Sequence, residues 1–446
     1  MSIVSCEHRL KMDRPRIKLD LSNYLSIELT ADFRLYKDKV FNIISNLYSS
    51  KSNPITMTGW LNLPHNAEMF SKINDFSWKI VSEEKYEHVL VLGIGGSSLG
   101  AQALVEALNT PIWNRLSKGK RKDYLTIDFI DNLDPVIIRT VLNRLKLDKT
   151  LFLIISKGGS TIETIVPMLV LKEWAGENFY KQCVFITTEG KGLLYELGKK
   201  NSVPVFGIPE SVGGRYSVFS PVGLLPASLC GLDLNEIKAG LQHADMVCQS
   251  QDMKENIAAG IALCSFISYQ VGKNILVLMP YSTCMKKFSD WFVQLWAESL
   301  GKAKKGSTPL SAIGATDQHS QLQLFSDGPN DKLISFIKIN KHKRDITISD
   351  FSNEAQEFKS YTGKKVGQIL NVELEATKRA LTDNERSNFT LTLPELNEYY
   401  LSYLMYVLEI ATAISGGLLG INPFDQPGVE LSKKYIKESL SGSLVI

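Results

Sequence analysis

Twice in this chain a short run of apolar, branched residues empties directly into a turn of glycines and hydroxyls that opens a helix. His88-Val-Leu-Val-Leu92 leads into Gly93-Ile-Gly-Gly-Ser-Ser-Leu-Gly100, and Leu151-Phe-Leu-Ile-Ile155 leads into Ser156-Lys-Gly-Gly-Ser-Thr161. An unbroken apolar run of this length reads as a strand buried on both faces, which requires helices above and below it. Thr126–Ile130 and Val184–Thr187 read as further strands, and Ala101–Leu108 and Ile162–Trp174 as helices between them. Strands alternating with helices predict an α/β fold, a doubly wound parallel sheet with right-handed crossovers.

A second half repeats the idea. Asn274–Met279 is an apolar strand, Ser289–Leu300 an amphipathic helix, Leu333–Ile339 an alternating strand and Glu395–Ser415 a long helix. With 446 residues, 44% of them hydrophobic, the chain has material for roughly two to three domains. The expected division is a mixed, helical lead-in over 1–65, a first sheet unit over 66–220 carrying both glycine turns, and a second over 221–446. Ala31–Asn46 has helix-like spacing in the lead-in, and Gly59–Pro64 reads as a loop.

Composition excludes several classes. Lys and Arg number 50 against 47 Asp and Glu, a net charge of +3, too balanced for a protein that coats nucleic acid. The six cysteines (Cys6, Cys183, Cys230, Cys248, Cys264 and Cys284) show neither CxxC nor zinc-finger spacing, so the expectation is reduced thiols in a cytoplasmic protein and no metal site. The first residues are charged throughout and lack the apolar core of a secretory signal. Leu401–Ile421 is the best membrane candidate, but Glu409, Thr412, Ser415 and Gly416-Gly417 favour a buried helix over a bilayer span.

The glycine turns carry the first chemistry. Gly93–Gly100 is not a dinucleotide fingerprint. The third glycine would fall on Ser98, and no acidic residue follows at the ribose-binding distance, where Trp113–Gly119 stands. Glycines such as Gly96 let backbone N–H groups approach a ligand, and Ser97 adds a hydroxyl at a helix N-terminus. In the second turn Ser156, Ser160 and Thr161 are donors and Lys157 is a cation, a set suited to a phosphate monoester. GxxxxGK[ST] is absent, which removes support for nucleotide hydrolysis. The bland alternatives are a packing turn and a helix capped by Ser160 or Thr161.

Four other segments stand out. In Gly213-Gly-Arg-Tyr-Ser217, Arg215 is flanked by residues that bend the backbone around it, so its guanidinium is a candidate for meeting a developing oxyanion. In Gln294-Leu-Trp-Ala-Glu-Ser-Leu-Gly-Lys302, Glu298 sits among Trp296, Ala297 and Leu300. Apolar surroundings would raise its pKa and suit it to general base catalysis, and Gln294 lies one turn earlier on the same face. His319 stands in a polar loop, Ala315–Gln321, where it can carry a proton near neutral pH or simply be a surface histidine. Gly420–Lys434, pinned by two prolines and two glycines, offers Gln426 and Lys433 as polar contacts or as part of a solvated corner.

In this order, from about Val89 to Lys434, these segments resemble the glucose-6-phosphate isomerase family: GIGGSSLG, SKGGST, GGRYSVFSPVGLLP, QLWAESLGK, DQHSQLQLF and NPFDQPGVELSKK. The resemblance implies two sugar-isomerase (SIS) subdomains and an aldose-ketose isomerase interconverting glucose 6-phosphate and fructose 6-phosphate. It implies Glu298 as the base of a cis-enediol mechanism, Arg215 as the stabiliser of the enediolate, and His319 and Lys433 as ring-opening groups. Ser156, Lys157, Ser160 and Thr161 would hold the phosphate, Gly96 and Ser97 would lie near the sugar, and Gln294 and Gln426 would contact phosphate or hydroxyls. A homodimer is implied, with the histidine crossing from the neighbouring subunit, and no cofactor. Gly158 stands where many members carry Ser or Thr, Ser98 where Asp is frequent, Leu300 where Asn is, and Pro427 where Trp is. A sugar-phosphate sensor on the same fold, or an isomerase also acting on mannose 6-phosphate, are the alternatives.

Overall fold

The apolar runs form strands that sort into two five-stranded sheets. The structure is a computed structural model and describes residues 14–28, 32–51 and 53–442; Cys6, the charged opening segment and Ala31 lie outside them. The strands are β1 (Lys18–Asp20), β2 (His88–Leu92), β3 (Thr126–Ile130), β4 (Thr150–Ile155), β5 (Cys183–Thr188), β6 (Val205–Ile208), β7 (Ile275–Pro280), β8 (Thr308–Ser311), β9 (Lys332–Lys341) and β10 (Asn388–Glu395).

The first sheet has the order β3-β2-β4-β5-β6 and is parallel throughout. Its central strands β2, β4 and β5 are buried along their whole length, as unbroken apolar runs require. Leu92 pairs with Ile130 on one side and Ile154 on the other, so these strands end level. The chain steps outward from β2 to β3, then crosses back over β2 to β4. The strand order reverses between β2 and β4, and in open parallel sheets ligands sit at the carboxyl ends beside such a reversal. Both glycine turns leave the sheet there.

The second sheet has the order β1-β10-β9-β7-β8 and is parallel except for β1. The lead-in therefore does more than form helices: Lys18–Asp20 pairs antiparallel with Thr390–Thr392 and closes one edge of this sheet. β9 is buried on both faces over its first six residues, so the alternation read in Leu333–Ile339 does not separate a wet face from a dry one. β10 occupies the stretch just before the long helix. That helix begins at Glu398, where the Asn397 side chain accepts from the Tyr400 N–H at 2.9 Å. It runs through Gly416 and Gly417 to Leu419 and stops at Gly420, whose φ of +68° is the left-handed end that glycine favours.

The long helix is apolar and long enough to cross a membrane, yet 94% of its most apolar window is buried within the protein. It packs between the Leu234–Cys248 and Ile257–Gln270 helices. In the lead-in, the expected helix appears as a short 3-10 turn at Phe33–Tyr36 followed by the Lys37–Ser49 helix. The expected loop at Gly59–Pro64 is instead a buried 3-10 helix, Gly59–His65. The reason is the Trp60 indole, which stacks on Tyr216 with ring centroids 4.8 Å apart and draws the turn into the core. Among the described residues the cysteines are unpaired, and all but Cys284 are fully buried.

Candidate active site

The site assembles where three pieces of chain meet at the reversal between β2 and β4. The first is the turn after β2. Gly96 packs so closely on the Gly214–Arg215 backbone that a Cβ there would lie 2.2 Å from the Gly214 carbonyl oxygen. Glycine is therefore required for contact between the two backbones, and this contact carries Arg215 to the sheet edge. Ser217 adds a hydrogen bond from its hydroxyl to the Gly96 carbonyl at 3.3 Å. Gly95, at φ +56°, lies against the Gln294 amide. Ser97 sits in the same turn, half-buried, and Ser98 is buried, its hydroxyl accepting from Gln102 Nε2 at 2.6 Å.

Arg215 is almost wholly buried, and each of its five N–H donors has an acceptor. Nε donates to Ser299 Oγ at 2.7 Å, and Nη2 to the carbonyls of Pro423 at 2.6 Å and Asp425 at 2.9 Å. Nη1 donates to Glu298 Oε1 at 3.1 Å and reaches Gln426 Oε1 at 3.4 Å. A guanidinium fork held on three sides cannot rotate. Its Nη1 edge is the one that faces other functional side chains.

Glu298 comes from the last turn of the Lys286–Leu300 helix. Its second oxygen accepts from Gln294 Nε2 at 3.1 Å, as the four-residue spacing predicts. The carboxylate therefore faces hydrogen-bond donors rather than the apolar sheath expected from its sequence neighbours. Trp296 and Leu300 project into the core from other faces of the helix. The Gln294 Oε1 atom is buried without a partner, an acceptor open to a ligand hydroxyl.

The turn after β4 forms a second cradle. Ser156 is buried; its hydroxyl pairs with Thr161 Oγ1 at 2.9 Å and accepts from the Gly159 N–H at 3.1 Å. Thr161 stands at the N-cap of the Ile162–Ala175 helix, but its hydroxyl turns to Ser156 and does not cap. The bland capping alternative thus fails for Thr161, and the first N–H groups of the helix receive no side-chain cap. Ser160 is exposed beside it. The Lys157 ammonium departs from expectation: it donates to the Glu210 carbonyl at 2.8 Å, strapping two loops together. Burial lowers its pKa.

Two expected residues stay apart from this cluster within the chain. His319 is exposed at the end of the 3-10 turn Thr316–His319. Lys433 lies on the exposed Glu430–Leu440 helix, ion-paired with Glu430 at 2.8 Å. No hydrogen bond joins either to Glu298, Arg215, Gln294 or Gln426 among the described residues. Conversely, sequence reasoning passed over Ser299 and the carbonyls of Pro423 and Asp425, which hold Arg215. Ser299, directly after Glu298, had a positional signal; backbone carbonyls have none.

Residues 47–444 match the phosphoglucose isomerase family. The chain is 38% identical over 382 residues to a glucose-6-phosphate isomerase of Rubrobacter xylanophilus, covering 84% of this chain and 87% of that one. It is 36% identical to one of Carboxydothermus hydrogenoformans, over 94% and 93% of the two chains. Among solved structures, a hypothetical protein of Thermus thermophilus superposes with a TM-score of 0.87 at 31% identity, covering 96% of this chain and all of that one. A glucose-6-phosphate isomerase of Chlamydia trachomatis shares the fold, with a TM-score of 0.71 at 23% identity over 84% of this chain and 74% of its own. A base-like carboxylate, a locked arginine and a hydroxyl cradle, set at one sheet edge and carried by a matching sequence, make this chain a member of the phosphoglucose isomerase family.

Proposed function

We propose that the protein interconverts glucose 6-phosphate and fructose 6-phosphate by proton transfer through a cis-enediol, as an enzyme of glycolysis and gluconeogenesis. The observation that carries this reading is the Glu298 carboxylate held between Arg215 Nη1 and Gln294 Nε2, each at 3.1 Å. The names of the relatives support the substrate pair. A C2–H beside a carbonyl is weakly acidic, and its removal leaves negative charge on the sugar oxygens. The account needs a base, a fixed cation and a handle that aligns the two carbons.

Glu298 takes the C2 proton and returns it to C1. The Arg215 Nη1–H that reaches Gln426 Oε1 only at 3.4 Å passes to the enediolate, while Ser299, Pro423 and Asp425 hold the rest of the group still, so the cation reorganises little during reaction. Ser156, Ser160, Thr161 and the helix start receive the phosphate, whose remote binding energy fixes the reacting carbons. Gly96 and Ser97 line the sugar side. Gln294 and Gln426 accept hydroxyls, and Lys157 contributes charge from the rim. His319 and Lys433 open the ring. The direct test is a coupled assay of the purified chain on glucose 6-phosphate and, side by side, mannose 6-phosphate. Turnover of the first supports the reading; a folded protein inert toward it overturns the reading.

Gly158 provides a second test. Nothing lies within 4 Å of where its Cβ would stand, so Gly158→Ser fits and adds a hydroxyl to the cradle. One added hydrogen bond is worth about 0.5–1.5 kcal/mol, so KM for glucose 6-phosphate should fall up to roughly tenfold, with the melting temperature unchanged. Steady-state kinetics and a thermal melt read both.

The same reading takes the protein as a cytoplasmic homodimer, with the division at 66 and 221 separating two sugar-isomerase subdomains. Two features support the dimer. His319 is exposed, with no hydrogen-bond or ion-pair partner among the described residues. The Glu430–Leu440 helix that carries Lys433 leaves Leu431, Tyr435, Ile436 and Leu440 uncovered. If His319 serves the neighbouring site, mixed His319→Ala and Glu298→Gln subunits regain activity in heterodimers, because one of the two sites is then intact. Confirmed heterodimers without activity would place the histidine outside the shared site.

A further inference from the structure

Lys302 lies four residues beyond Glu298, just past the end of the Lys286–Leu300 helix, and the mechanism above does not use it. Its side chain is only 10% exposed. The ammonium donates to the Asn422 carbonyl at 2.7 Å and pairs with Asp425 Oδ1 at 3.0 Å. Arg215 Nη2 holds the carbonyls of Pro423 and Asp425 of the same segment. Two cations therefore grip the segment 422–425, each at two groups along it. Lys305 secures the approach by donating to the Leu419 carbonyl at 2.8 Å. Phe424, within the segment, packs on Tyr216 at 5.5 Å between ring centroids, and Gln426 follows it immediately.

A buried ammonium is costly to desolvate, and burial lowers the Lys302 pKa. A loop staple alone has cheaper solutions, since an apolar contact or a neutral donor would hold a surface turn. What a cation adds is a fixed direction for carbonyl and carboxylate dipoles that must in turn fix another cation. Two of the five hydrogen bonds that orient Arg215 come from this one segment.

We propose that Lys302 is a positioning residue for the isomerase reaction: by pinning Asn422 and Asp425 it sets the two carbonyls that aim the Arg215 guanidinium at the reacting oxygens. This rests on the functional reading above. Lys302 touches no reacting atom and acts through the loop. The phosphate cradle lies on a separate turn after β4, so loss of Lys302 weakens transition-state stabilisation and leaves substrate capture intact.

The test uses the full chain with Lys302→Met, which keeps length and removes charge, and Lys302→Arg, which keeps charge and donors. A misaimed group costs about ten- to hundredfold in rate, so Lys302→Met should lose that much kcat with KM for glucose 6-phosphate within about twofold, and Lys302→Arg should recover most of it. If Lys302→Met does not fold, Asp425→Asn removes the ion pair while keeping the Asp425 carbonyl, and a several-fold drop in kcat at constant KM is the expected result. Wild-type kcat in folded Lys302→Met, with only the melting temperature lowered, overturns the inference. So does a rise in KM at constant kcat. A wild-type chain inert on glucose 6-phosphate would instead be a failure of the functional reading, and the two results are told apart by the wild-type assay.

Discussion

Glu298→Gln lowers kcat for glucose 6-phosphate by about 10²–10⁴-fold and leaves KM nearly unchanged. Glutamine keeps the size and both heavy-atom positions of the carboxylate. Its carbonyl still accepts from Arg215 Nη1, and its amide faces Gln294, whose unpartnered Oε1 receives it after a simple amide flip. The hydrogen-bond network therefore closes again without a charge, and the proposed phosphate cradle on the turn after β4 is untouched. What disappears is an acceptor basic enough to take a proton from carbon. Turnover and KM, measured with a melting temperature close to that of the parent, check this. A variant with parental kcat would remove Glu298 from the chemistry.

The second large effect is expected at Arg215. Arg215→Lys keeps the charge, but a lysine ammonium has three donors on a flexible stem and cannot span acceptors on three sides. Ser299 Oγ, Glu298, Gln426 and the carbonyls of Pro423 and Asp425 compete for it, and at least two of these five acceptors lose their donor. Each unpaired buried group costs about 1–3 kcal/mol, so the melting temperature falls. Loss of one preorganised donor at a developing oxyanion costs about 10²–10³-fold in kcat. KM should move far less than kcat, because the proposed phosphate handle, the turn after β4, lies elsewhere. Equal losses in binding and turnover would argue that Arg215 holds substrate rather than the transition state.

Much of this arrangement was legible in the chain, for reasons that differ from residue to residue. β2, β4 and β5 are recognisable because a strand buried on both faces must be apolar at every position, a local signal. The turns after β2 and β4 are recognisable because only glycines and small hydroxyl residues suit a backbone that approaches a ligand. β10, Asn388–Glu395, was passed over because its Asn, two Thr and Pro look like loop, although Phe389, Leu391 and Leu393 are buried on one face. β1 has three residues and is defined by its pairing partner alone. The surroundings of Glu298 were misread for a geometric reason. Residues adjacent in sequence lie about 100° apart on a helix, so Trp296 and Leu300 do not share its face, whereas Gln294 does. The grip of Pro423 and Asp425 on Arg215 was invisible because any residue supplies a carbonyl. His319 and Lys433 were legible only through family likeness, since one chain does not bring them to Glu298.

In the proposed mechanism Glu298 carries the proton between C2 and C1 of the bound sugar. The most direct measurement is the isomerisation run in deuterium oxide, with the hydrogen content at both carbons followed by NMR for the parent chain and Glu298→Gln. Deuterium should enter C1 of fructose 6-phosphate and C2 of recovered glucose 6-phosphate in the parent reaction, and exchange at both positions should slow in the variant in step with its kcat. Exchange at the parental rate in Glu298→Gln would contradict this mechanism.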